Sequence, residues 1–137
     1  MRLDLYQAET ARIANAQRAL LAQARAILEQ GRPLTPLEQG GVLHALQALI
    51  ENAIGKAKQL LKARNQSVPV SAYDAFAALA NCGLLSQADL AAWSPVIGIR
   101  NRIVHDYMNI DMDQVMALIA SGKDQFIIDF LLKEAPP

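Results

Sequence analysis

The chain has 137 residues, 53% of them hydrophobic and 19% charged, which allows one globular domain with a buried core and excludes a largely disordered chain. Its formal net charge of zero argues against a protein that coats nucleic acid through a broad basic surface. The single cysteine, Cys82, excludes an intramolecular disulfide and a cysteine-based metal cluster, and two histidines, His44 and His105, are too few for a histidine-rich metal site.

The composition favours helices over sheets, because leucine, alanine and isoleucine dominate and aromatic residues make up only 5%. The first predicted helix runs from about Leu3 to Gln30, with apolar residues at three-, four- and seven-residue steps. A second begins after Thr35, a capping residue followed by a proline, and ends near Arg64. Within this helix, Gly55 predicts the close approach of another helix.

The middle of the chain predicts shorter helices. Ser71 caps a helix that extends through about Asn81 and is closed by Gly83. Ser86 begins another helix, and Ser94–Pro95 either begins the next one or kinks a single continuous helix.

A last helix is predicted after the capping residue Asp111, with Gly122 loosening it midway. The sequence contains no internal repeat and no alternating strand pattern. The predicted architecture is therefore all-α and a single domain over residues 1–137. In it, an up-and-down bundle of four long helices carries a short helical insert.

No segment predicts export or membrane insertion. The stretch from Met1 to Leu5 lacks the apolar run and the cleavage pattern of a signal peptide, and no apolar run is long enough to cross a bilayer. We therefore expect a soluble, cytoplasmic protein.

The stretch with the richest chemistry is Arg100 to Tyr107, with the sequence RNRIVHDY. Histidine can accept or donate a proton near neutral pH, and an arginine guanidinium can contact two phosphate oxygens at once. Because RNA supplies its own nucleophile, the 2′-hydroxyl, these two side-chain types are compatible with metal-independent RNA cleavage. The ordinary alternative is a solvated arginine and a histidine that caps a helix end.

Helix geometry limits how this stretch can work. At about 100° per residue, His105 shares a face with Asn101, whereas Arg100 lies about 140° from His105 and in line with Tyr107. Either the helix ends or distorts near His105, or a second copy of the chain completes the site across a two-fold axis.

The spacing of Arg100, His105 and Tyr107 resembles the RX4HXY signature of HEPN-domain toxins, specifically the HepT-like branch. A polar residue directly after the arginine, here Asn101, also fits that family. The flanking segment 73–85 and the order of the helices agree, so the resemblance covers nearly the whole chain.

The resemblance implies a homodimer in which two motif helices meet in a cleft. Arg100 and His105 would be the catalytic pair, with Asn101 and Arg102 supporting the site or the RNA, and no metal or cofactor would be required. The implied partner is a small nucleotidyltransferase antitoxin of the MNT type, which transfers AMP to Tyr107 and so blocks the anion site that RNA needs.

Three functions remain open at this point. The first is the toxin of a type II/VII-like toxin–antitoxin system, a metal-independent endoribonuclease that forms homodimers and can form higher hetero-oligomers with its antitoxin. The second is a non-catalytic subunit that binds nucleotide or substrate for a nucleotidyltransferase, and the third is a helical dimerisation module. The complete set of arginine, histidine and tyrosine favours the first, since a scaffold has no need of all three at this spacing.

Other polar or large residues are expected to have structural roles. Glu51 and Asn52 are predicted on a solvated face of the second helix, with a position bordering the cleft as the alternative. Trp93 is expected to pack in the core. A basic cluster near the end of the second helix is interpreted as complementing the helix dipole. The alternative is that the cluster binds RNA phosphates or an acidic partner. The cluster comprises Lys56, Lys58, Lys62 and Arg64.

Overall fold

The structure, a computed structural model, describes residues 3–134, which form six α-helices and no strand. Residues 1–2 and 135–137 of the predicted domain lie outside the described residues. The helices are α1 (Leu3–Glu29), α2 (Pro36–Ala63), α3 (Ala72–Asn81), α4 (Gln87–His105), α5 (Met112–Ala120) and α6 (Gln125–Leu132), with a 3-10 turn at Tyr107–Asn109. The predicted all-α fold class is confirmed.

Side-chain caps begin α2, α3 and α4 where the sequence predicts them. Thr35 Oγ1 accepts a hydrogen bond from the Glu38 amide at 3.2 Å, and Glu38 Oε1 accepts one from the Thr35 amide at 2.9 Å, which completes a capping box. Ser71 and Ser86 each accept a bond from the amide three residues on. These caps satisfy donors that the first helical turn leaves unpaired.

α4 is one continuous helix, which decides between the two predictions for this segment. Pro95 lies inside it and, lacking an N–H, removes one bond of the helical ladder. Trp93 and Val96 are buried on either side of the proline, so the packing of this face offsets the missing bond. Ser86, and not Ser94, therefore begins the helix that carries the motif.

The predicted last long helix is wrong, because the chain divides there into α5 and α6. Gly122 has φ +74°, in the left-handed region that ends a helix, and the Lys123 amide donates to the Leu118 carbonyl at 3.1 Å. Within residues 3–134 the bundle thus has long helices α1, α2 and α4, with the pair α5–α6 in place of the fourth and α3 as the short insert.

An ion pair between α1 and the turn before α6 holds this break in place. Arg25 donates from Nη2 to Asp124 Oδ1 at 2.6 Å and from Nε to the Ile119 carbonyl at 2.9 Å. The side chain of Asp124 is only 2% exposed, against 27% for Arg25. The guanidinium therefore ties both sides of the Gly122 break to α1.

We expect Asp124→Ala to lower the free energy of unfolding by about 2–4 kcal/mol, because it leaves a largely buried guanidinium without its carboxylate. Urea denaturation followed by circular dichroism measures the change. Glu9→Ala is the matched control, since Glu9 pairs with Arg12 at the same 2.6 Å but both side chains are more than half exposed. The control should leave the midpoint unchanged, and equal midpoints for the two variants would contradict the role given to Asp124.

α2 lies at the centre of the bundle and packs against α1, α3, α4 and α6. α1 approaches so closely that a Cβ at Gly55 would lie 3.2 Å from Tyr6 Oη, which confirms the predicted close approach. On the other side, Trp93 of α4 stacks on Phe76 of α3 with ring centroids 4.2 Å apart and meets Phe130 of α6 edge-on at 5.3 Å. The predicted core position of Trp93 is thereby confirmed.

Lys56 is buried, which corrects its assignment to a basic cluster that complements the dipole of the second helix. Its Nζ donates to the carbonyls of Phe130 at 2.7 Å, of Leu131 at 3.3 Å and of Lys133, all at the C-terminal end of α6. The amine therefore complements the dipole of α6 and not that of its own helix. Burial, together with repulsion from Lys133, lowers the pKa of Lys56 to about 8.

This lowered pKa predicts a pH dependence of stability. Between pH of about 8 and 10.5, the folded chain binds fewer protons at Lys56 than the unfolded chain, so folding is favoured increasingly as the pH rises through that window. Relative to Lys56→Met, the wild type should therefore gain free energy of unfolding between about pH 7 and about pH 10. A difference between the two proteins that stays constant over this range in urea denaturation would contradict the prediction.

No helix in the described part of the chain combines the length and the apolar character needed to cross a bilayer.

Candidate active site

The motif spans the C-terminal end of α4 and the turn that follows it. α4 ends at His105, Asp106 leaves the helical conformation with φ −149° and ψ 47°, and Tyr107 begins the 3-10 turn. The helix does end at His105, as the first of the two predicted solutions requires, but this end alone does not join His105 to Arg100. Because Tyr107 lies beyond this end, it does not continue the helix face of Arg100.

Arg100 is held by Glu51, which projects from α2. The Arg100 Nε donates to Glu51 Oε1 at 2.5 Å and Nη2 donates to Oε2 at 3.3 Å, the two-point geometry that a guanidinium forms with a carboxylate. The remaining Nη1 donates to Asn101 Oδ1 at 2.9 Å. Two neighbours thus fix the plane of this guanidinium.

These contacts do not exhaust the donors of Arg100. A guanidinium carries five N–H groups, and the contacts with Glu51 and Asn101 use three of them. One N–H on each terminal nitrogen stays available to a ligand. The side chain of Arg100 is 23% exposed and that of Glu51 is 41% exposed, so the pair lies at the surface of the bundle and not in its core.

His105 and Tyr107 are both exposed at the end of α4. Among residues 3–134 the His105 imidazole has no hydrogen-bond partner, so nothing in one chain joins it to Arg100. In an ideal α-helix, five residues correspond to about 7.5 Å along the axis and about 140° around it, so the two side chains leave α4 in different directions. The structure thus brings Arg100, Asn101 and Glu51 together and leaves His105 separate from them, exposed at the end of α4.

The turn that carries Tyr107 is held by its own side chains. Asp106 Oδ1 accepts a bond from Asn109 Nδ2 at 2.7 Å, and Arg102 Nη1 makes a longer contact of 3.5 Å with the Asn109 carbonyl. Arg102 is exposed and keeps most of its donors. The phenol of Tyr107 is therefore displayed on a braced turn and is 54% exposed.

For Glu51 the sequence favoured a solvated face, with a position bordering the cleft as the alternative, and its pairing with Arg100 at 41% exposure agrees with the alternative. The available signal was the absence of a cation within its own helix, since positions three and four residues away hold Gln47, Ala48, Ile54 and Gly55. The neighbouring Asn52 points elsewhere and donates to the Thr10 carbonyl of α1 at 3.3 Å.

Metal ligands are not clustered in the described range. No group of three or more histidine, cysteine, aspartate or glutamate side chains within residues 3–134 is arranged to hold a metal ion.

Comparison of the sequence with known proteins identifies its family. A sequence profile of the family described as ribonuclease HepT-like matches residues 16–129. Among curated proteins, the chain is 28% identical over 88 residues to the mRNA nuclease HepT of Shewanella oneidensis. That match covers 64% of this chain and 66% of the relative, just under two thirds of the relative's length.

Two solved structures share the fold. The crystal structure of a toxin–antitoxin with AMP-PNP superposes with a TM-score of 0.77 at 21% identity, over 92% of this chain and 97% of the other. The tri-AMPylated HEPN toxin of Shewanella oneidensis in complex with its MNT antitoxin superposes with a TM-score of 0.71 at 22% identity, over 96% and 98% of the two chains. Because the family match runs from α1 into α6 and includes Arg100 to Tyr107, the chain is a member of the ribonuclease HepT-like family.

Proposed function

We propose that this chain is the toxin of a type II/VII-like toxin–antitoxin system, a metal-independent endoribonuclease whose catalytic pair is Arg100 and His105. The observation that carries the proposal is the Arg100 guanidinium, which is fixed by Glu51 and Asn101 yet keeps donors for a phosphate. Such a preorganised group stabilises growing negative charge without first having to reorient. Similarity to an mRNA nuclease supports RNA as the substrate.

In the proposed reaction the 2′-hydroxyl of RNA attacks the adjacent phosphorus, and the exposed His105 exchanges a proton with a reacting oxygen. Arg100 contacts the phosphate oxygens that gain charge. Asn101 supports Arg100, and the exposed guanidinium of Arg102 contacts the RNA backbone nearby.

We further propose that two copies assemble with the ends of their α4 helices around one cleft. A two-fold axis beside α4 would bring the imidazole of one copy toward the guanidinium of the other, across the distance that one chain leaves open. The exposed apolar side chains of Val104 (42%) and Met108 (90%) flank His105 and Tyr107 and supply contact area for such an interface.

The proposed partner is an MNT-type nucleotidyltransferase antitoxin that adenylylates Tyr107, in a complex whose stoichiometry can exceed a simple pair. A HEPN toxin of similar fold is tri-AMPylated and bound to an MNT antitoxin, and the exposed Tyr107 is accessible to such an enzyme. Each added AMP brings a phosphate to the end of α4, where it competes with RNA for the guanidinium groups.

We expect Tyr107→Phe to stay toxic but to escape covalent control, because the variant keeps the ring and loses only the hydroxyl that accepts AMP. Intact-mass measurement after co-expression with the nucleotidyltransferase should detect adducts on the wild type and none on the variant. Tyr73→Phe is the matched control, since Tyr73 is also a partly exposed tyrosine at 42% and should leave the adducts unchanged. Adducts that persist on Tyr107→Phe would assign the modification to another residue.

A non-catalytic subunit that binds nucleotide for a nucleotidyltransferase is the second candidate, favoured by the similarity to a toxin–antitoxin with AMP-PNP. Expression without the partner separates the two. Growth arrest that disappears in His105→Ala supports the ribonuclease, whereas harmless expression of the wild type supports the binding subunit.

For both candidates we propose a cytoplasmic site of action and one domain over residues 1–137.

A further inference from the structure

The carboxylate of Glu51 can accept more hydrogen bonds than its ion pair with Arg100 uses. Each of its oxygens accepts one bond from the guanidinium, Oε1 at 2.5 Å and Oε2 at the longer distance of 3.3 Å. A carboxylate offers about four acceptor sites in total, so a lone pair on Oε2 stays open to a further donor. The Glu51 side chain is also the more exposed of the two, at 41% against 23%.

Cleavage of RNA by its own 2′-hydroxyl needs two proton transfers on opposite sides of the phosphorus. One group must remove the proton of the 2′-hydroxyl, and another must deliver a proton to the departing 5′-oxygen. A carboxylate accepts a proton but has none to give while it is ionised, and an imidazolium can give one. Arg100 can do neither, because a guanidinium stays protonated.

We propose that Glu51 is a third catalytic residue, the general base, and that His105 is the general acid. The inference rests on the proposed ribonuclease function. The proton of the 2′-hydroxyl moves to Glu51 Oε2 as the O2′–P bond forms, and the P–O5′ bond breaks as the His105 imidazolium protonates O5′. The products are a 2′,3′-cyclic phosphate and a 5′-hydroxyl end, and both side chains return to their starting states by proton exchange with water.

The position of Glu51 on Arg100 suits this role. Arg100 donates to Glu51 on one edge and keeps N–H groups for the phosphate on the other, so the same guanidinium places the base next to the phosphate that it binds. Asp106, the residue after His105, also carries a carboxylate. That carboxylate accepts a hydrogen bond from the Asn109 side-chain amide at 2.7 Å and so holds the turn.

A substrate whose leaving group needs no proton separates the two roles. After a cleavage site has been mapped in cellular RNA, two oligoribonucleotides spanning it are synthesised, one natural and one with sulfur in place of the bridging 5′-oxygen. A thiolate leaves without protonation, so His105→Ala should be strongly impaired on the natural oligonucleotide and largely restored on the sulfur one. Glu51→Gln should lose about 10²–10⁴-fold on both, because each reaction still needs its base.

The matched control is Glu38→Gln. Glu38 lies on the same helix and also forms a two-point pair with an arginine, Arg32, with both bonds at 2.9 Å, but it lies in the first turn of α2, away from Arg100. The Glu38→Gln variant should cleave both oligonucleotides at the wild-type rate. Circular dichroism confirms that each variant is folded.

A double-mutant cycle tests whether Glu51 acts only by holding Arg100. If it did, Glu51→Gln would add no further loss in an Arg100→Ala background, whereas a general base predicts a further loss of about 10²-fold. Any one of three results would overturn the inference: no further loss in the double mutant, wild-type rates for Glu51→Gln, or recovery of Glu51→Gln on the sulfur substrate. None of these three results would contradict the proposed ribonuclease function. A wild type that cleaves neither oligonucleotide nor cellular RNA would overturn the proposed function itself.

Discussion

Arg100→Ala should reduce the rate of RNA cleavage by about 10²–10³-fold, because it removes preorganised donors to the phosphate in the transition state. The fold should survive, since the Arg100 side chain is partly exposed and the Glu51 carboxylate that it leaves behind is exposed enough to be solvated. Initial rates on fluorescently labelled cellular RNA and thermal melting by circular dichroism measure the two effects.

Two further variants sharpen this test. Arg100→Lys keeps the charge but loses the planar fork, so its rate should fall between those of the wild type and Arg100→Ala. Arg18→Ala removes an exposed arginine of α1 and should change neither rate nor melting temperature. Wild-type cleavage by Arg100→Ala at an unchanged melting temperature would remove Arg100 from the active site.

Trp93→Ala should lower the free energy of unfolding by about 3–5 kcal/mol, the largest stability loss that we predict. Its ring is 1% exposed and contacts Phe76, Phe126 and Phe130, with centroids 4.2 to 5.3 Å away, so truncation opens a cavity between α3, α4 and α6. For a chain of this length the melting temperature should fall by roughly 10–20 °C.

The controls for Trp93 distinguish a cavity from a general effect of substitution. Trp93→Phe retains most of the stacking on Phe76 and should cost clearly less than the alanine variant. Met108→Ala removes a side chain that is 90% exposed and should leave melting unchanged. A loss below about 1 kcal/mol in Trp93→Ala would contradict a core role for this ring.

Local signals were sufficient for most of the fold. The caps at Thr35, Ser71 and Ser86 lie within three residues of the amides that they bind, so the sequence alone reveals them. The break at Gly122 was not predictable in this way. A glycine is tolerated inside a helix, and here the tie between Arg25 and Asp124, 99 residues apart in the chain, accompanies the break.

Partners that are distant in sequence explain the remaining errors. Lys56 was assigned to a cluster that complements the dipole of α2 and Glu51 was preferred on a solvated face, but their partners lie on α6 and α4, 74 and 49 residues away. Periodicity shows which residues share a helix face without showing which helix packs against that face. In the motif, the spacing of Arg100, His105 and Tyr107 is local, so the sequence alone reveals it. The contact between Glu51 and Arg100 joins two helices and can be seen only in the folded structure.

The most direct measurement of the central claim is RNA cleavage by the purified chain in the presence of EDTA. We predict that the wild type cuts cellular RNA under these conditions and leaves 2′,3′-cyclic phosphate ends, and that His105→Ala, folded and melting like the wild type, leaves the RNA intact. Undiminished cutting by His105→Ala, or cutting by the wild type only when a divalent metal is restored, would contradict it.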